Sequence, residues 1–304
     1  MRVVCVALSN AAYANSRLLL NESAARFGIP DIRSYDFEEI KATPFYHQNR
    51  AILDQPRGVG YWLWKPFIIN EALNSLSDGD IVIYIDAGAR IIDSLNPLLS
   101  LCTEEQPILL FGNGNHANSM WTKRDTFVLM DCDTESYWHG LPCDAACCVF
   151  RRSPLAIQFV QEWLTFCCDE RILTDRPNTS GKKNFHDFIE HRHDQSVLSL
   201  LALKYRLPFF RVPSQFGNHY KMHAYRMDNE YNRPNQMSTE DVSWYAAIPY
   251  YNSPYPQLLH HHRTPDIPPP RGSYLRRIRD KFKRKWKRTR WSLLNRRPYS
   301  DIKK

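Results

Sequence analysis

Residues Gly58–Arg90 read GVGYWLWKPFIINEALNSLSDGDIVIYIDAGAR, and the way this stretch divides decides the fold. An aromatic, Gly-flanked segment ends in Trp64-Lys65-Pro66, and a helix is expected from there to about Leu76. The turn Ser77-Asp78-Gly79-Asp80 leads into Ile81-Val82-Ile83-Tyr84-Ile85, which stops at Asp86-Ala87-Gly88. A continuous apolar run bounded by turn residues is the pattern of a strand buried on both faces, as in a parallel sheet. Ligands of such sheets bind beyond the carboxyl ends of the strands. Asp86 falls at that end, followed by a Gly that lets backbone come close to a ligand. A carboxylate so placed suits a divalent cation, or it caps the strand-to-turn transition.

The elements on either side agree with a sheet of this kind. Arg2–Leu8 reads as a first strand, Asn15–Phe27 as a helix stopped by Gly28, and Ile32–Phe37 as a second strand, an α/β order. Pro44–Gln55 is a helical or irregular connection. Ile108–Phe111, Ala145–Phe150 and Leu207–Val212 are further strands. Trp121 to Met130 is expected to be helical, with Lys123 and Arg124 on a solvated face. Ser153-Pro154 starts a helix with Ser as cap and Pro in the first turn, its apolar face carrying Leu155, Phe159, Val160, Trp163 and Leu164. Asp175–Asp187 reads as a polar, mobile loop, and 213–270 as a long irregular segment. Gly112-Asn113-Gly114-Asn115-His116 lacks the spacing of a phosphate cradle.

Charge separates the chain into two objects. Residues 271–304 hold fifteen Lys or Arg and two Asp, a net of +13 against +8 for the whole chain, which leaves −5 for residues 1–270. Pro268-Pro269-Pro270 is a stiff linker, and Tyr274–Leu294 carries an apolar stripe at Leu275, Ile278, Phe282, Trp286 and Leu293 among Lys and Arg. A basic amphipathic helix of this kind is drawn to an anionic membrane surface, and nucleic acid is the weaker alternative. No run of eighteen apolar residues occurs, and MRVVCVALSN is too short for a signal peptide, so a cytoplasmic, peripherally membrane-associated protein is expected. The eight Cys show no C-x-x-C spacing and read as buried, reduced side chains.

Two motifs together resemble a known family. Gly60-Tyr61-Trp62-Leu63-Trp64-Lys65-Pro66 before Tyr84-Ile85-Asp86-Ala87-Gly88 resembles nucleotide-sugar glycosyltransferases of the GT-A fold, in particular bacterial surface-polysaccharide sugar transferases. His191-Arg192-His193-Asp194-Gln195-Ser196, before an apolar helix Val197–Tyr205, resembles the Asp-Gln pair that faces the donor sugar in retaining transferases, family 8 among them. The resemblance implies a Rossmann-like, mostly parallel sheet over residues 1 to about 265, with a linker and tail over 266–304. It implies sugar transfer from a nucleotide diphosphate to a hydroxyl on a glycan or lipid-linked acceptor, in polysaccharide or lipopolysaccharide assembly. Asp194 and Gln195 become the catalytic candidates. Trp62, Lys65, Asp86, Gly88 and Arg263 become the donor-binding candidates, with Lys65 and Arg263 set against phosphate charge. Asp86 with one of His260, His261 and His262 becomes the candidate ligand set for Mn²⁺ or Mg²⁺. Gly88 stands where the wider family has a second Asp. Read from the residues alone, Lys65 also serves to open a helix, Asp194 to cap one, and Trp62 to fill a core. A catalytically inactive sugar-nucleotide or polysaccharide-binding module is the reading from another class.

Overall fold

The computed structural model describes residues 1–112, 117–217 and 252–262, together with the two positions Phe282 and Trp286. Its centre is a six-stranded sheet built from β1 (Val3–Ser9), β2 (Ile32–Asp36), β3 (Ile81–Ile85), β5 (Ile108–Gly112), β6 (Cys143–Arg151) and β7 (Phe209–Arg211), in the order β2-β1-β3-β6-β5-β7. Five of these strands run parallel, and β6 alone runs against its neighbours β3 and β5. A separate two-stranded sheet pairs β4 (Ala89–Ile91) with β8 (Leu259–His261). The mostly parallel sheet flanked by helices expected from the sequence is the one the chain forms.

Strand alternation builds two cores. Val4, Val6, Leu8, Val82, Tyr84, Cys148 and Phe150 face one side. That side is covered by α2 (Trp64–Asn74), α3 (Arg124–Leu129), α4 (Pro154–Cys167) and α5 (Asp194–Lys204). Cys5, Ala7, Ile81, Ile83, Ile85, Cys147 and Val149 face the other, under α1 (Ala14–Arg26) and the segment around Tyr255 and Leu258. All eight cysteines are free thiols, and seven of them are buried. In the helix begun by Ser153, whose hydroxyl accepts from the Ala156 amide at 3.2 Å, the buried stripe is Ala156, Phe159, Val160, Trp163 and Cys167. Leu155 lies at the stripe's edge and is exposed, a correction to the expected apolar face.

Lys123 and Arg124 also depart from expectation, because neither is on a solvated face. Lys123 is 3% exposed, and its ammonium donates to the Arg176 carbonyl at 2.8 Å. Arg124 pairs with Asp133 at 3.0 Å and lies over the rings of Phe185 and Trp138. Asp125 beside them accepts from the amides and hydroxyls of both Thr179 and Ser180. The polar loop expected to be mobile is thus tied to the body, by Asp125 and also by Lys123 and the Arg124 amide, which donates to Asn184.

The chain turns from β1 outward to β2, then returns to place β3 on the other side of β1. The crevice beyond the carboxyl ends of β1 and β3 is therefore the topological switch point, where open α/β sheets receive their ligands. Because β6 is antiparallel, its amino end, with Asp144 and Ala145, reaches the same rim.

Candidate functional site

Tyr84 and Asp86 are two residues apart in an extended segment, so their side chains point to the same face. The Tyr84 hydroxyl donates to Asp86 Oδ1 at 2.6 Å. Above that face lies the first turn of α2, which brings in Lys65. Its ammonium is 2.8 Å from Asp194 Oδ2, 3.0 Å from the Ala145 carbonyl oxygen and 3.7 Å from Asp86 Oδ1, and it sits over the Tyr84 ring. Lys65 and Asp194 are almost wholly buried, whereas the Asp86 side chain keeps 37% of its surface exposed. One cation thus joins two acids from different motifs, and only one of those acids faces solvent.

Electrostatics follow from that geometry. Burial pulls the Lys65 ammonium down, but the carboxylates of Asp194 and then Asp86 more than reverse this and hold it above the ordinary lysine value. Burial pushes the Asp194 carboxyl up to about 6, with Lys65 opposing the rise. The Lys65 charge is committed inward to two carboxylates; the expected role against a solvent-facing diphosphate does not match this placement.

Two strained segments deliver these side chains. Gly58, Val59, Gly60, Tyr61 and Trp62 all have positive φ, at 57°, 51°, 85°, 54° and 60°, which makes a left-handed turn immediately before α2. Each non-glycine residue in that conformation costs roughly 1–2 kcal/mol. The turn is held by packing and hydrogen bonds: the Trp64 indole donates to the Gly58 carbonyl at 3.1 Å, and a Cβ on Gly60 would lie 2.5 Å from Leu53 Cα. His193, just before Asp194, has φ 52° and ψ −119°. The rings of Tyr61 and Trp62 lie against the His193 imidazole, at centroid distances of 4.7 and 5.8 Å. His193 Nδ1 bonds to the Leu173 carbonyl at 2.8 Å, and the Trp163 indole donates to the Asp194 carbonyl at 3.0 Å. Asp194 therefore stands in the first turn of α5 with its carboxylate on Lys65, and the helix cap position belongs to His193.

The remaining candidates fall as follows. Trp62 is half-buried against His193, and Gln195 is half-buried in the first turn of α5. The Gly88 carbonyl accepts from the His262 amide at 3.0 Å, so the histidine strand does run beside the Asp86-Ala87-Gly88 turn. His261 is buried against Phe216, and His260 is paired opposite Arg90. The expected metal set is not assembled: among the described residues no three or more His, Cys, Asp or Glu side chains form a group that could hold a metal ion. Asp86 Oδ1 already accepts from Tyr84 and has the Lys65 ammonium beside it, so the donor set does not fit a divalent ion. Arg263, residues 113–116 and the basic tail lie outside the described residues, apart from Phe282 and Trp286.

Sequence reading missed three contributors. Tyr84 was legible through its two-residue spacing from Asp86, whereas Trp163 and the Ala145 carbonyl join only through tertiary packing. Beyond β1 and β2, Arg17 donates to Ser9 at 2.9 Å and to Ser34, and stands 3.7 Å from Asp36, forming a polar rim beside the switch point.

No family model matches the sequence, and no curated protein matches it. Solved structures that match include the WbbM bifunctional glycosyltransferase in its apo form, at 12% identity and a TM-score of 0.42 over 70% of this chain and 39% of that one. Mouse xyloside xylosyltransferase 1 in its apo form matches at 10% identity and 0.41 over 88% and 100%. The galactosyltransferase LgtC, in complex with donor and acceptor sugar analogs, matches at 13% and 0.43 over 92% and 95%. The chain spans well under half of WbbM. All three are glycosyltransferases by name, but at such identities and scores they decide nothing about the activity of this chain.

Proposed function

We infer that this chain transfers a sugar from a nucleotide-diphosphate donor to a hydroxyl acceptor. One observation carries the reading: a buried Lys65 couples Asp86 and Asp194 at the rim where the sheet's topology receives ligands. Asp194, held as a carboxylate by Lys65 at neutral pH and only 5% exposed, would act with Gln195 on the donor sugar from beneath the rim. As the bond from the anomeric carbon to the phosphate oxygen breaks, positive charge grows on the sugar, and a fixed carboxylate lowers that barrier. Lys65 acts through the two acids as a positioning residue. Arg263 is the proposed diphosphate contact on sequence grounds.

The acceptor is proposed to be a glycan or lipid-linked sugar at a membrane surface. Support comes from the net charge of +13 on residues 271–304 and from Phe282 and Trp286, both exposed. Among the described residues no helix is long and apolar enough to cross a membrane. Gly88, standing where a second acid would be, favours a second reading, a donor-binding module without turnover.

Donor hydrolysis across a panel of nucleotide sugars tests both. Slow release of nucleoside diphosphate from one donor, reduced at least a hundredfold in Asp194→Asn, is the result expected of the enzyme. Tight binding without release, even with candidate acceptors present, would favour the module, and failure to bind any donor would end both readings.

A further inference from the structure

We propose that donor binding at this rim is independent of a metal ion, and that Asp86 serves as a hydrogen-bond acceptor for a donor hydroxyl. This rests on the glycosyl-transfer reading and concerns how that site works. A divalent ion bound by Asp86 Oδ1 would sit at about 2.1–2.5 Å from that oxygen. The Lys65 ammonium is already 3.7 Å from the same oxygen, which puts the two cations within roughly 6 Å of each other. Lys65 cannot withdraw, because it is buried and anchored to Asp194 at 2.8 Å and to the Ala145 carbonyl at 3.0 Å.

Asp86 is also committed in its hydrogen bonding. The Tyr84 hydroxyl occupies Oδ1 at 2.6 Å, and the side chain, 37% exposed, keeps acceptor capacity beyond that bond. A carboxylate in this state, with an ammonium 3.7 Å from Oδ1 and a phenol already bonded to that oxygen, has little of its ligand capacity left for a divalent ion. It remains a strong acceptor for a neutral O–H, and sugars and riboses present many of these. The buried lysine thus takes the place of a cation beside Asp86 Oδ1, and the exposed acid is left to read a hydroxyl.

The test uses the full chain and reads metal uptake separately from transfer. Mn²⁺ binding is followed by the loss of the free-ion electron paramagnetic resonance signal in wild type and in Asp86→Asn. Each is measured with and without UDP, GDP, CDP and ADP. Thermal stabilisation by the matching nucleotide sugars is measured in chelator and in Mn²⁺. The expected result is equal stabilisation in both conditions, no Mn²⁺ uptake that Asp86→Asn removes, and donor affinity at least about tenfold weaker in Asp86→Ala. One Mn²⁺ per chain in wild type, lost in Asp86→Asn, would overturn the proposal. So would donor affinity unchanged in Asp86→Ala. If no nucleotide sugar stabilises the chain at all, the transfer reading fails, and the Mn²⁺ measurement alone still decides whether Asp86 holds a metal.

Discussion

The Lys65 ammonium lies 2.8 Å from the Asp194 carboxylate, and neither side chain exposes more than 5% of its surface. A pair so enclosed is worth little against an apolar replacement, yet removal of one member strands the other's charge in a dry site. Lys65→Met should therefore destabilise the fold by about 3–5 kcal/mol in urea unfolding, and Lys65→Met combined with Asp194→Leu should recover a large share of that loss. Simple addition of the two single effects would show that the side chains do not interact in solution.

Stability should fall as pH drops below about 6.5. His191 and His193 are buried and neutral; burial holds the former well below the ordinary histidine value and, with Arg57 nearby, the latter at about 3. Between pH 6.5 and 3 the unfolded chain binds protons at these positions that the folded chain does not, so acid favours unfolding by up to ~1.4 kcal/mol per pH unit for each. Asp194 works in the opposite sense: with its carboxyl near 6, the folded state holds a proton between about pH 6 and 3.8 that the unfolded state has released. Two histidines against one carboxyl leave a net loss. Denaturant midpoints at pH 7.5, 6 and 5 measure it, and His193→Gln should make the slope shallower.

Asp125 collects hydrogen bonds from both Thr179 and Ser180, and these bonds hold its carboxyl below the usual range although burial opposes them. Asp125→Ala removes the anchor of the Thr179-Ser180 part of the 176–187 segment. Amide exchange in Thr179 and Ser180 should rise at least tenfold, with a stability loss of about 2 kcal/mol. Unchanged exchange there would mean that other contacts fix the loop.

Gly60 has φ 85° and no room for a Cβ, which would meet Leu53 Cα at 2.5 Å. Gly60→Ala should cost more than about 2 kcal/mol, combining left-handed strain with the clash. Gly28 also has positive φ, at 87°, but opens onto free space, so Gly28→Ala should cost only about 1 kcal/mol. Thermal unfolding of the two variants side by side separates the clash from the strain.

Much of the sheet was legible because its strands obey local rules. Ile81–Ile85 is apolar throughout and bounded by turn residues, and it forms a strand over those same residues. Ser153-Pro154 caps and opens its helix as those residue types dictate. Asp86 and Asp194 could be picked out in sequence, but their joining through Lys65 could not, since it depends on how α2 lies across the rim. Lys123 was misread for a related reason. Its charge suggests solvent, and only the packed loop supplies the carbonyl oxygens that let an ammonium be buried. The left-handed turn had no signal beyond two glycines, since Val59, Tyr61 and Trp62 run against their own preference.

That turn has a consequence for the order in which the molecule assembles. A left-handed stretch containing Val, Tyr and Trp gains nothing from nascent local structure and cannot nucleate by itself. It becomes favourable only when Leu53, the Trp64 indole and the His193 ring are already present to pack against it. His193 is brought there by α5, whose sequence lies far along the chain from the turn. Lys65 should therefore reach its two carboxylates late in folding, and a partly folded chain, however helical, has no assembled site to offer a donor.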